Sequence, residues 1–254
     1  MTFPQAVLLF FAALVAGALN SVAGGGSFFT FPALLITGVP PIQANATSTV
    51  AVWPGTLASV SAYRKKLPRS PRLLIPLVSA SIIGGLLGAG LLLHTRQQTF
   101  LRLVPFLYFA ATLLFTFGKK LFHGTRVTEQ DQASWLTVGT VALCQFFTGV
   151  YGGYFGAGMG ILMLAFLSFL PLGDIHALNS VKTLLASAAN GMAIITFILA
   201  RIILWPQGVL MLTGAILGGY GGAHFAQKTN PARVRILVVI VGFAVSIIFF
   251  WKYQ

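Results

Sequence analysis

The chain has 254 residues, of which 57% are hydrophobic and only 7% are charged. Such a composition excludes a water-soluble globule, so lipid must surround most of the surface. The net charge of +13 comes from 16 Lys and Arg residues against three acidic residues, a balance that would indicate nucleic-acid binding in a soluble chain. Here most cations lie in short clusters beside apolar spans, as in loops that face an anionic leaflet. We therefore predict a lipid bilayer as partner and no nucleic acid.

Eight apolar segments follow one another along the chain. They cover residues 3–37, 41–63, 73–93 and 103–118, and then 135–170, 175–200, 204–226 and 236–251. A helix needs about 20 apolar residues to cross a hydrocarbon core of about 30 Å. Segments 3–37 and 135–170 exceed one crossing, so we expect the helix in each to be doubled or interrupted. The predicted fold class is an all-α polytopic membrane protein.

A polar stretch at 119–132 divides the chain into a first transmembrane repeat at 1–118 and a second at 133–254. The halves superpose with a constant shift of 134 residues, which aligns the following groups: Gly24 and Gly26 with Gly158 and Gly160; Asn45 and Thr49 with Asn179 and Thr183; Ala80, Gly84 and Gly88 with Gly214, Gly218 and Gly222. We predict two homologous repeats, each with a glycine-broken first segment and about three transmembrane helices. Transporters built from such repeats carry their site at the repeat interface.

Both first segments contain a glycine cluster, NSVAGGGS at 20–27 and GGYFGAGMG at 152–160. Glycine costs about 1 kcal/mol relative to Ala inside a helix, so each cluster predicts broken backbone. Two interpretations stay open: close helix packing, or a break whose N–H groups and helix N-terminus face an anion. The stripes of small residues around Gly84 and Gly218, by contrast, predict close helix packing.

The orientation in the membrane depends on the first segment of each half. If all eight segments cross, Lys and Arg residues divide ten against five between the two sides. If the first segments are re-entrant hairpins, three crossings per repeat remain, the repeats are inverted and the division becomes eleven against four. The stronger asymmetry favours inverted repeats with both termini outside.

Each half has a polar group just after its broken segment, QANATST at 43–49 and HALNSVKT at 176–183. Asn, Ser and Thr can donate hydrogen bonds to an oxyanion without adding a fixed charge. The candidates are Asn45, Thr47, Ser48, Asn179 and Thr183, with Asn20 as a further buried amide. Alternatively, the hydroxyls bond their own helix carbonyls, and Asn45 and Asn179 cap helices.

Lys182 is the strongest single candidate, because it is a cation several residues inside an apolar segment. A buried ammonium costs several kcal/mol unless it is paired. Its partner is a transported anion, Asp174 or a lipid headgroup. We favour the anion.

The sequence contains few residues that could support enzymatic chemistry. The chain has three acidic residues and four scattered His residues, and no nucleophile triad is recognisable. We predict no catalytic residues, no metal site and no cofactor.

The motifs NSVAGGGS at 20–27, ANATS at 44–48 and GGYFGAGMG at 152–160 resemble the sulfite exporter TauE/SafE family over nearly the whole chain. The resemblance implies a multi-pass carrier of the bacterial inner membrane that moves small anions such as sulfite, sulfonates or related organosulfur compounds. Carried over by position, it implies a substrate site made of these residues: Gly24, Gly25, Gly26, Asn45, Thr47, Ser48, Gly156, Gly158, Asn179 and Lys182. Ser48 aligns with Lys182, which predicts hydroxyl donors on one side of the site and a cation on the other.

We therefore expect a secondary transporter of small sulfur-containing anions, with an anion channel as the alternative. Saturation and counter-transport distinguish the two. A homodimer is one alternative to a monomer.

Overall fold

A computed structural model describes residues 1–22, 25–121, 134–172, 175–226 and 231–253. Helices form nearly all of this part of the chain. Their bounds are α1 Phe3–Val22, α2 Ser27–Ile36, α3 Pro41–Tyr63, α4 Pro71–His94, α5 Gln97–Leu121, α6 Trp135–Tyr154, α7 Met159–Leu167, α8 Ile175–Leu199, α9 Trp205–Ala226 and α10 Pro231–Tyr253, with a short 3-10 turn at Arg64–Lys66 after α3.

Apolar side chains cover much of the outer surface, as a lipid environment requires. Leu199 is 78% exposed and Trp251 is 91% exposed. Among the described residues, four helical stretches are long and apolar enough to cross a membrane: Phe3–Asn20, Pro71–His94, Trp135–Tyr154 and His176–Leu199. The all-α class and the multi-pass membrane character are confirmed.

Helices α5 and α10 begin earlier than the apolar segments at 103–118 and 236–251. Helix α5 starts at Gln97 and therefore includes Arg102. Helix α10 starts at Pro231, a residue type suited to the first helical turn. Charged residues stop a hydropathy segment, but they do not stop backbone hydrogen bonding, and long basic side chains can extend to the membrane surface. Residues 119–121 complete α5, and the rest of the predicted linker lies outside the described residues.

The helix is interrupted in both long apolar segments, as predicted. Helices α1 and α2 form an antiparallel hairpin: Gln5 Nε2 donates to Thr37 O at 3.3 Å, while Gly26 N donates to Asn20 Oδ1 at 2.8 Å. The α1–α2 hairpin therefore ends near the level at which it begins. Helix α7 contacts α6, and its Met163 and Leu167 belong to the same buried apolar cluster as Val138 of α6.

Two long helix pairs join the halves, α1 with α9 and α4 with α6. Glycines allow the close approach in both. A Cβ on Gly88 would overlap the carbonyl oxygen of Val150 on α6, and a Cβ on Gly218 would overlap the carbonyl oxygen of Leu14 on α1. The predicted packing role of the small-residue stripes is confirmed at Gly84, Gly88, Gly214 and Gly218.

Helices α3 and α8 cross in opposite directions at the centre of the protein. Trp53 Nε1 donates to Ser187 O at 3.1 Å, and these residues are 134 positions apart in sequence. Near one end of the pair, Leu204 N donates to Thr47 Oγ1 at 3.2 Å. Near the other end, Ser180 Oγ donates to Lys66 O at 3.2 Å. The start of each helix therefore lies near the end of the other.

Candidate functional site

The first break is held by side chains of the protein itself. Gly25 has a φ of +90°, in the left-handed region that glycine adopts freely. The Asn20 side-chain oxygen accepts from Gly26 N, while its Nδ2 donor has no hydrogen-bond partner among the described residues. Thr30 Oγ1 pairs with Ser48 Oγ at 2.6 Å and joins this break to α3. Gly24 lies outside the described residues.

The second break contains two left-handed glycines, Gly156 with a φ of +82° and Gly158 with a φ of +76°. Gly158 precedes the first residue of α7. The Tyr151 hydroxyl donates to Ala157 O at 2.6 Å, which satisfies a carbonyl that helical bonding leaves free. Non-helical backbone at membrane depth needs such partners.

The two breaks meet at α5. The Tyr108 hydroxyl donates to Ser27 O at the start of α2, at 3.1 Å, and the Tyr108 ring lies 5.3 Å from that of Phe155 in the second break. One turn further along α5, the Cα of Ala111 lies 3.4 Å from where a Cβ on Gly158 would be. The broken backbone of both halves therefore contacts the same buried stretch of α5.

Asn45 does not cap a helix. It is the fifth residue of α3, whose preceding residue, Pro40, has no side-chain cap. Its Nδ2 donates to Tyr154 O at the end of α6, at 3.2 Å, so this amide joins the polar group of the first half to the break of the second. Thr47 and Ser48 are also engaged within the protein, with Leu204 N and with Thr30.

Lys182 lies beside the second break. Its Nζ donates to Asn179 Oδ1 at 2.9 Å, and its Cδ lies 3.6 Å from where a Cβ on Gly160 would be, in the first turn of α7. Asn179 is the fifth residue of α8, so it does not cap the helix either. Thr183 Oγ1 bonds the carbonyls of Asn179 and Ser180 in its own helix, which was the alternative interpretation for the hydroxyls.

The candidates group on opposite sides of the α3–α8 crossing. Ser48 precedes Trp53 by five residues, and Lys182 precedes Ser187 by five. Since the helices run in opposite directions, a rise of about 1.5 Å per residue separates Ser48 and Lys182 by about 15 Å along the helix axes. The structure thus brings Thr47 and Ser48 together with α2 and α9, and Lys182 together with Asn179 and α7.

The interaction of Lys182 with an acidic side chain stays a prediction. Glu129, Asp131 and Asp174 are all outside the described residues, so the described part of the chain contains no acidic side chain. The described partner of Lys182 is a neutral amide oxygen.

Two further residues stand out that sequence reasoning did not select. Ser187 is 7% exposed, and its hydroxyl has no hydrogen-bond partner among the described residues. It follows Thr183 by four positions, a helical spacing that could have indicated it. Tyr108 is fully buried between the two breaks, and no spacing rule connects it with them.

Replacing Gly158 with Ala is expected to destabilise the protein beyond the conformational strain of about 1–2 kcal/mol, because the added methyl also presses on Ala111. Gly38→Ala is the control, since Gly38 has a φ of +85° but no atom within 4 Å of an added Cβ. Thermal unfolding in detergent measures both. Equal losses of stability would show that the Ala111 contact has no effect.

The α1–α2 hairpin, the apolar surface and the broken helices that face a common buried stretch define a polytopic membrane protein of the transport class. The chain belongs to the sulfite exporter TauE/SafE family, whose model matches residues 9–249. It is therefore a membrane transporter of this family.

Curated relatives agree over nearly the full length. A Sinorhizobium protein named probable membrane transporter protein ORF9 is 32% identical over 97% of this chain and 93% of its own length. A probable membrane transporter protein of Haemophilus influenzae is 31% identical over 94% of this chain and 92% of its own length. The Escherichia coli K12 protein named probable membrane transporter protein YfcA is 28% identical over 94% of this chain and 87% of its own. No solved structure matches the chain.

Proposed function

We propose that the protein is a secondary transporter of small sulfur-containing anions, such as sulfite or short sulfonates, across the bacterial inner membrane. The observation that carries this proposal is the environment of Lys182. A cation inside a candidate membrane span has a neutral amide as its described partner and lies against the first turn of a helix that starts at a break.

Electrostatics favour an anion at this place. The N-terminus of a helix carries about half a positive charge, so α7 adds a field of the same sign as the ammonium of Lys182. In a low-dielectric interior both effects repel cations and attract anions. Among the described residues, Asn20 Nδ2 at the first break and the Ser187 hydroxyl on α8 also have no hydrogen-bond partner, and a small oxyanion moving along the path can use them.

The proposed architecture is a pair of inverted repeats. Residues 134 positions apart meet where α3 and α8 cross, and the two helices are antiparallel, as an axis in the membrane plane requires. The α1–α2 hairpin returns to its starting level, which supports a re-entrant first segment and three crossings per repeat. The basic clusters around Arg64, Lys119 and Arg233 then share the cytoplasmic side, and both termini lie outside.

In this proposal, movement of one repeat against the other exposes the polar groups on each side of the α3–α8 crossing in turn. Glycine breaks on both sides of Tyr108 provide the backbone freedom for such movement. Because the two half-sites lie about 15 Å apart and are chemically unequal, a small anion meets them one after the other, and the cationic half binds its charge.

Reconstitution into proteoliposomes tests the function. Labelled sulfite and methanesulfonate should enter in a saturable manner, and an internal pool of unlabelled substrate should accelerate entry. Flux that neither saturates nor responds to counter-substrate would instead indicate the channel. Absence of flux for every sulfur anion, with folded protein, would contradict the proposed substrate class.

A further inference from the structure

A cavity of about 310 Å³ opens where α1 begins, where α2 leads into α3 and where α8 leads into α9. Its wall contains three glutamines from three different helices: Gln5 from α1, Gln43 from α3 and Gln207 from α9. The cavity is open to the surface and has room for several water molecules. A small anion can therefore enter it with part of its hydration shell.

Two of the glutamines are free to bind a solute. Gln5 is held in place, since its Nε2 donates to Thr37 O and its Oε1 accepts from Thr2 N at 2.9 Å. Gln43 and Gln207 are half-buried, and neither has a hydrogen-bond partner among the described residues. Their amide groups thus offer donors, unpaired among the described residues, from two helices that line one cavity.

The cavity is adjacent to the polar group of α3. Gln43 lies one helical turn before Thr47, so the two share a face of α3. Leu204, a wall residue, donates from its backbone N–H to Thr47 Oγ1, and the Thr47 methyl lies 3.6 Å from where a Cβ on Gly208 would be. Leu204 therefore lies between a solute in the cavity and the buried Thr47.

The other half of the chain does not repeat this wall. With the shift of 134 residues, Gly139, Ala177 and Leu73 take the places of Gln5, Gln43 and Gln207. None of these three side chains carries an amide. The glutamine wall lies at the start of α3, whereas the basic cluster at Arg64–Lys66 follows the end of α3.

We propose that this cavity is the extracytoplasmic mouth of the transport path, and that the Gln43 and Gln207 amides bind the oxygens of a small oxyanion on its way between the exterior and Thr47. The inference rests on the proposed transport function. Uncharged donors suit a mouth, because they bind an anion without holding it as firmly as a fixed cation would.

Cysteine modification tests the mouth, and the chain is well suited to it because Cys144 is its single cysteine. In a Cys144→Ser background, Gln43→Cys and Gln207→Cys are treated from outside with a membrane-impermeant anionic methanethiosulfonate. Gln98→Cys is the matched control, since Gln98 is an exposed glutamine at the start of α5, outside the cavity. Modification should reduce methanesulfonate flux of the two cavity variants to that of protein-free liposomes and leave the control unchanged.

Protection of the thiol provides a second measurement that is independent of flux. Methanesulfonate should slow the modification of Gln207→Cys and not that of Gln98→Cys; it is the probe because sulfite itself cleaves mixed disulfides. Unchanged flux after complete modification, in protein that transports, would overturn the mouth and leave the transport function standing. Absence of methanesulfonate flux in the unmodified protein would count against the proposed function. If methanesulfonate in that case also failed to slow the modification of Gln207→Cys, the mouth would be overturned as well.

Discussion

Lys182→Met is expected to raise the half-saturation concentration for methanesulfonate by about 10- to 100-fold. A hydrogen bond to a charged group contributes about 1.5–3 kcal/mol, and each 1.4 kcal/mol is a factor of ten in affinity. Methionine preserves the unbranched chain that contacts the first turn of α7 at Gly160, so the change removes the charge and little packing. Initial rates of uptake into proteoliposomes over a range of substrate concentrations measure the effect.

Two controls separate charge from structure in this experiment. Lys182→Arg retains the positive charge and should preserve more transport than Lys182→Met. Asn179→Leu removes the described partner of Lys182 but leaves the ammonium in place, so it should affect the half-saturation concentration less. If Lys182→Met transports methanesulfonate like the unaltered protein, Lys182 does not neutralise the substrate.

The sequence predicts the helix breaks well because their cause is local. Gly25, Gly156 and Gly158 adopt left-handed backbone that few other residues tolerate, and the helices stop within a few residues of them. The close packing at Gly88 and Gly218 is also predictable, because it depends on small residues that recur every four positions in the sequence. By contrast, α5 starts six residues before the predicted apolar segment. Arg102 interrupts the apolar pattern, but it does not interrupt the helix.

The partners of Asn45 and Thr47 could not be predicted, because they are contacts between the halves. Asn45 donates to Tyr154 O across 109 residues, and Thr47 accepts from Leu204 N across 157. A constant shift of 134 residues is compatible with both parallel and inverted repeats. The shift alone therefore does not predict that α3 and α8 cross in opposite directions.

These contacts change how the candidate site is understood. The polar side chains of α3 mainly hold broken or distant backbone, which leaves few free donors for a substrate. Among the described residues, the groups that remain include Asn20 Nδ2, the Ser187 hydroxyl, and the Gln43 and Gln207 amides, beside the Lys182 ammonium. A transporter benefits from this division, because fixed polar contacts hold the breaks while a few free groups bind the solute weakly enough to release it.

Gly88→Ala is expected to destabilise the protein by about 3 kcal/mol or more, at or above the upper end of overpacking effects. The added methyl would overlap the carbonyl oxygen of Val150 and lie 2.9 Å from the backbone nitrogen of Tyr154. Backbone atoms in the last turns of α6 cannot rotate away as a side chain can, so α4 and α6 must separate at this contact. Thermal unfolding in detergent, followed by size-exclusion chromatography, measures the loss.

Gly90→Ala is the matched control, because Gly90 lies in the same helix two residues further on and has no atom within 4 Å of an added Cβ. It should leave stability unchanged or raise it, since Ala favours helix over Gly by about 1 kcal/mol. Gly218→Ala on α9 should repeat the large loss, because its methyl would overlap the carbonyl oxygen of Leu14 on α1. Similar stability of Gly88→Ala and Gly90→Ala would mean that α4 and α6 are not packed through this stripe, and the interface between the halves would then need to be placed elsewhere.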